Sequence, residues 1–217
     1  MLDLNIFLKN PRFRSFCLAS SHKAISHRAV AECLQALLRE AGFDAEPELD
    51  GLLPGTRERP ADAGVDDAPG AFTLTAPGVF LTIDVRIARL HEPTYLADER
   101  ARPGCTIELV ETDKRRQYEA RVQAEGGRFV PFVLDEFGKL GASATWLLDI
   151  MSLRAAERQR SDFRLGPAPA RAARLRASWA ASLSGALHTA ITGYMQQRLV
   201  ASLRLSQVPG GGGIKGW

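Results

Sequence analysis

Two aspartates are placed where they could share one chemical task. Asp62 follows a proline turn, Arg59-Pro60-Ala61-Asp62. Asp84 sits inside an apolar run, Val79-Phe80-Leu81-Thr82-Ile83-Asp84-Val85-Arg86-Ile87. That run is β-branched and aromatic and is bounded by Pro77-Gly78, the pattern of a strand buried on at least one face. A carboxylate there loses hydration, which is costly unless something compensates. A divalent cation is one compensation, and a second carboxylate from a neighbouring strand would help to hold it. Between the two acids lies Asp66-Asp67-Ala68-Pro69-Gly70, a turn signal. Two strands meeting across that turn would bring Asp62 and Asp84 side by side. The other reading is a surface turn acid plus a strand acid paired with an arginine, and spacing alone leaves both open.

A second set of candidate ligands is Cys17-x4-His22-x4-His27. Two histidines and a cysteine suit zinc, but a closed structural site needs four ligands and no second cysteine lies nearby upstream. Capping or surface roles for the histidines are the alternative, and Cys33 suits a helix core. Three cysteines give no paired disulfide framework, which points to a reducing, intracellular compartment.

Several elements must position these groups. Ser26 is placed to cap a helix over 27–41, with Val30, Leu34, Leu37 and Leu38 on one face and Gly42 as its stop. A short strand is expected over 44–49 and an irregular connection over 88–104. A helix over 106–124 puts Leu109, Lys114, Tyr118 and Val122 roughly on one side and ends at Gly126-Gly127. Arg128-Phe129-Val130-Pro131-Phe132-Val133-Leu134 reads as a strand whose proline fits an edge or a bulge. A helix over 144–158, capped by Ser143, and a long helix over 171–205 follow. The long helix repeats Leu175, Trp179, Leu183, Leu187, Ile191, Met195, Leu199 and Leu203 every four residues, a period that drifts around the cylinder. The glycine-rich end, 209–217, reads as disordered.

The 217 residues suffice for one core, with 45% apolar and 24% charged content. No apolar run reaches the ~18–20 residues that span a bilayer, and the N-terminus lacks a signal-peptide pattern. The net charge of +3 hides an asymmetry. Residues 154–204 hold nine Arg and two acids, a balance of +7, so with Lys215 the first 153 residues carry −5. An acidic body with a basic tail suits a metal site beside a polyanion-binding surface, and a solvated helical face is the plainer alternative. No Walker loop, dinucleotide glycine fingerprint, Gly-x-Ser-x-Gly or His-Glu-x-x-His occurs.

The order helix, three strands, helix, strand resembles the restriction-endonuclease-like, PD-(D/E)XK superfamily. Five short motifs in order resemble one branch of it. They are Arg59-Pro60-Ala61-Asp62, Asp84-Val85-Arg86-Ile87, Lys114-Arg115-Arg116-Gln117-Tyr118, Phe129-Val130-Pro131-Phe132 and Gly138-Lys139-Leu140-Gly141. That branch is the endonuclease domain at the C-terminal end of site-specific non-LTR retrotransposon reverse transcriptases. His22-x4-His27 resembles the last step of the Cys/His knuckle that precedes the domain there, with Cys17 as a remaining ligand. The likeness covers roughly residues 17–150. Here one residue is inserted between the proline and the first acid, Arg86 stands where lysine is usual, the knuckle is incomplete, and the chain has no polymerase domain.

The resemblance implies an α/β, restriction-endonuclease-like core (α-β-β-β-α-β) with an additional C-terminal helical region. It divides the chain into an N-terminal segment (1–26), the core (27–160), an Arg-rich extension (161–208) and a tail (209–217). It implies a metal-dependent DNA endonuclease, with Asp62 and Asp84 holding Mg, or Mn. Lys114 would orient or help deprotonate the attacking water, or stabilise the transition state, in place of the strand lysine. Arg86 would contact the scissile phosphate. Tyr118, one turn after Lys114, is read as packing, Glu46 as an acid of an acidic loop rather than a third ligand, and Glu111 as the helix-face partner of Lys114. Expected partners are DNA, and RNA or a separate reverse transcriptase chain, in a nucleus if the source is eukaryotic. A nuclease-fold remnant that binds nucleic acid or protein without cutting remains the alternative.

Overall fold

A computed structural model describes residues 20–47, 62–66, 80–90, 92–159 and 167–206. In chain order the elements are α1 (Ser20–Glu40), β1 (Asp44–Pro47), β2 (Ala63–Asp66), β3 (Leu81–Ala88), α2 (Pro93–Ala101), α3 (Cys105–Ala124), β4 (Arg128–Asp135), α4 (Ala142–Arg158) and α5 (Ala168–Ser206). The strands form one mixed sheet of order β1-β2-β3-β4. β1, β2 and β3 are antiparallel neighbours. β3 and β4 run parallel, with Asp84 opposite Pro131. Among the described residues β4 is therefore an edge strand, and the edge is where its proline costs least.

Alternation along the two long strands divides the core. Leu81, Ile83 and Val85 of β3 and Val130, Phe132 and Leu134 of β4 share one cluster with α1, α4 and α5. The opposite face carries Ala88, Phe129 and Val133, packed against Ile107, Val110, Tyr118 and Val122 of α3. The result is a sheet with α3 on one face and α1 and α4 on the other, and α5 lies across those two helices.

α1 buries the expected Val30, Leu34, Leu37 and Leu38, but it begins at Ser20. Ser26 is thus no cap. It lies inside the helix, buried, with its hydroxyl 3.4 Å from the Lys23 carbonyl, and the expected boundary at 26/27 falls within α1. The helix ends as expected at Gly42, whose φ of +83° is left-handed. α3 stops likewise at Gly126, with φ +78°. The stretch expected to be irregular contains α2, with Pro93 at its first turn. From α2, Glu99 accepts hydrogen bonds from the Thr106 amide and hydroxyl at the start of α3. The α4 terminus is also differently sealed. Its cap position is Gly141, and the Ser143 amide donates 3.0 Å to Glu111 of α3. Glu111 is therefore the acceptor for a helix end, not the partner of Lys114.

The stripe on α5 is core for half its length. Trp179, Leu183 and Leu187 are buried in the main cluster. The fourfold spacing then drifts off the helix's inner face, so Met195 and Leu199 are exposed and Tyr194 is buried instead. Arg171, one of the arginines of the basic tail, is buried and donates 2.8 Å to the Ala156 carbonyl. Arg176 pairs with Asp149 at 2.7 Å. The Arg204 side chain, Cys17, the expected strand residues beyond Pro47 and the segment 209–217 lie outside the described residues. No helix is long and apolar enough to cross a membrane among the described residues.

Because α5 supplies part of the core, Leu183→Ala should cost about 2–5 kcal/mol of unfolding free energy, the range for truncating a buried leucine. Urea denaturation measures this, and a loss under ~1 kcal/mol would mean that α5 packs only loosely on α1 and α4.

Candidate active site

The site forms where β2 runs out beside β3. The last rung of their ladder is Ala63 opposite Ile83, followed by the Asp62 amide donating 2.9 Å to the Ile83 carbonyl. Past that point β3 has no strand on this side among the described residues, and its next backbone groups need partners. Side chains supply them. The Val85 amide donates 2.7 Å to Oδ2 of Asp62. Nε2 of His27, on α1, lies 2.9 Å from the Val85 carbonyl and 3.2 Å from the same Asp62 oxygen. Both partners are acceptors, so Nε2 carries a proton. Gln35, two turns further along α1, donates 2.8 Å to the Asp62 carbonyl. Asp62 is thereby held at the end of β2, beside the strand that carries Asp84.

Asp84 projects from the other face of the sheet, under α3. Lys114 reaches down to it, with Nζ 3.2 Å from Oδ1 and 2.9 Å from Oδ2. The contact with Oδ1 is a directed hydrogen bond. That with Oδ2 is an ion-pair contact only, so this buried oxygen lacks a directed donor. The Lys114 ammonium also lies 5.1 Å from the centre of the Tyr118 ring. That ring packs on Phe129 with centroids 5.7 Å apart. Tyr118 is thus buried packing that also steadies the lysine by a cation–π contact.

The electrostatics follow from this geometry. Burial pushes the Asp84 carboxyl up to about 6, and nearby Asp62 adds to the rise, while Lys114 and His27 pull it down. His27 is also raised, by its hydrogen bond to Asp62, against burial that lowers it.

The structure pairs Asp84 with Lys114, and Asp62 lies near enough for its charge to raise the Asp84 carboxyl without touching it in any described contact. Arg86, two residues along β3 from Asp84, is exposed. It lines a cleft with Lys23, His27 and Arg89. A larger cavity, with His27, Gln35 and Asp62 in its wall, opens on the α1 side. Glu46 is exposed on β1, opposite Gly64, two strands from Asp84. Among the zinc candidates, His27 commits its Nε2 to Val85 and Asp62, and Cys17 and the His22 side chain lie outside the described residues. Among the described residues no cluster of three His, Cys, Asp or Glu side chains is present.

Magnesium suits the set that is there. It takes oxygen ligands, keeps several waters and is commonly held by one or two carboxylates. Asp62 and Asp84 supply oxygens only, and Oδ2 of Asp84 already faces the Lys114 ammonium at 2.9 Å, without a directed hydrogen bond.

Sequence reasoning missed the roles of His27 and Gln35 towards Asp62. Their only signal was spacing, since His27, Ala31 and Gln35 fall on one side of a helix with a small residue between the polar ones. Comparison of the chain with protein-family models and with curated proteins finds no match.

The raised Asp84 carboxyl sets a pH dependence. Its ordinary value is 3.8 and its folded value about 6, so this group favours the folded state fully below pH ~4 and loses that contribution as pH rises through ~6. The difference corresponds to about 3 kcal/mol. His27 acts in the same direction, its contribution being present below its ordinary value and lost as pH rises through its raised folded one. Without metal, Asp84→Asn should therefore gain stability relative to the native chain between pH 4 and 7.5, by ~2–3 kcal/mol. Parallel stability–pH curves for the two proteins would show that Asp84 is not buried as an anion.

Proposed function

We propose that this chain is a metal-dependent DNA endonuclease with a restriction-endonuclease-like core, of the kind carried by site-specific non-LTR retrotransposons. The observation that carries this reading is the pairing of Asp84, on a central strand, with Lys114 from α3, beside Asp62 at the end of the adjoining strand. The motif resemblance is consistent with it, and so is the mixed four-stranded sheet with helices on both faces.

When bound, magnesium or manganese would polarise the phosphate and lower the pKa of a water. Asp62 and Asp84 would hold it. The His27 and Gln35 hydrogen bonds fix Asp62 in place, which limits its freedom to turn away. Lys114 has an ammonium already aimed at the Asp84 carboxylate, from which it can orient the attacking water and offset negative charge developing on the phosphate. Arg86, exposed beside this cluster, suits a forked contact with a phosphate. Action on chromosomal DNA would place the protein in the nucleus of a eukaryotic cell, with RNA or a separate reverse transcriptase chain as further partners.

A second reading is a non-cutting remnant that binds nucleic acid. One observation favours it: Oδ2 of Asp62 is already used by the Val85 amide and His27.

A plasmid-nicking assay with magnesium distinguishes the two. The native chain should nick, Asp84→Ala should abolish nicking, and Lys114→Ala should slow it about 10²–10⁴-fold, the usual range for a positioned proton-transfer group. Nicking by Asp84→Ala at the native rate would remove the assignment, and a native chain inert with both magnesium and manganese would favour the remnant.

A further inference from the structure

The described part of the molecule has a second large cavity that the acid pair does not use. It lies along the outer edge of β4, between the C-terminal half of α3 and the first turns of α4. Its volume is about 550 Å³, within the ~300–1,000 Å³ typical of small-ligand sites.

The wall chemistry is specific. Arg128, exposed at the start of β4, sets its guanidinium carbon 4.4 Å from the centre of the half-buried Trp146 ring. Arg115 is held in place by two contacts, 2.8 Å to Glu119 and 2.9 Å to the Ser143 hydroxyl. Gln123 lines the same cavity and carries both a donor and an acceptor. An aromatic face stacked with a guanidinium takes a flat heterocycle. An amide reads a heterocycle's edge, and a fixed arginine pairs with a phosphate. Those three features together are the features of a nucleotide.

We propose that this groove binds one unpaired nucleotide, its base joining the Trp146–Arg128 stack and its phosphate meeting Arg115. α3 connects the groove with the acid pair, because Lys114 and Arg115 are consecutive and point to different sides of the helix, one to Asp84 and one to Ser143. A single strand lying along α3 would therefore touch both places. The choice of a strand over a free nucleotide rests on the endonuclease reading above. The groove's chemistry does not.

The test is binding of a short labelled oligothymidylate to the whole chain, by fluorescence anisotropy in EDTA, where no cutting can occur. Thymidine monophosphate serves as competitor. Arg128→Ala and Trp146→Ala should each weaken oligonucleotide binding about tenfold, and Trp146→Phe, which keeps an aromatic face, should recover most of it. The monophosphate should compete only weakly. Arg128 is exposed, so its variant decides the matter even if Trp146→Ala fails to fold. Unchanged binding by Arg128→Ala overturns the proposal, and equal affinity for the monophosphate overturns the strand. Failure of the native chain to nick, with the variants still losing binding in EDTA, would leave the groove standing without the endonuclease. Native nicking with no effect of Arg128→Ala on binding would do the reverse.

Discussion

The buried contact between Asp84 and Lys114 is the constraint on which the rest of the arrangement depends. A carboxylate in the middle of a strand, with helices on both faces of the sheet, is costly to ionise. Here its partner cannot come from the same strand, because the residue two along, Arg86, stays exposed. It comes from α3, so the position of that helix on the sheet decides whether the site exists. Several contacts fix α3. Glu99 engages its first amides, Glu111 ties it to the start of α4, and Tyr118 and Val122 pack on Phe129. Lys114 is the lysine of the turn before Tyr118, and the ring under its ammonium limits where it can swing.

The second constraint is a strand that begins late. Because β2 begins only at Ala63, opposite Ile83, Val85 offers an amide and a carbonyl to whatever lies beyond. Asp62 and His27 answer both, and in doing so they hold Asp62 where its charge reaches Asp84. The same bonds have two consequences. They fix the Asp62 side chain, and they occupy one of its oxygens.

Much of this was legible in the residues, and the failures have physical causes. The strand around Asp84 shows itself by β-branched residues bounded by Pro77-Gly78. The α1 face shows itself by Val30, Leu34, Leu37 and Leu38, and the edge position of β4 by Pro131. The pairing of Lys114 with Asp84 follows from family resemblance more than from spacing, since 30 residues separate them and no local rule joins them. Ser26 and Ser143 look like caps because capping is local in sequence, but α1 starts earlier and α4 is sealed by Glu111 from 32 residues away. α2 was hidden by a segment with no apolar face, none of its residues being buried. The arginines of α5 read as free charge because periodicity does not reveal that Arg171 turns inward to Ala156.

The central proposal is that Asp62 and Asp84 hold a cation beside Lys114. Calorimetric titration of the native chain with magnesium at pH 7.5, beside Asp84→Asn and Asp62→Asn, tests it most directly. The expected result is binding by the native chain that is lost in Asp84→Asn and strongly weakened in Asp62→Asn, with both variants folded. Equal magnesium binding by all three proteins would contradict it, and would leave the Asp84–Lys114 pair as a structural ion pair of the sheet.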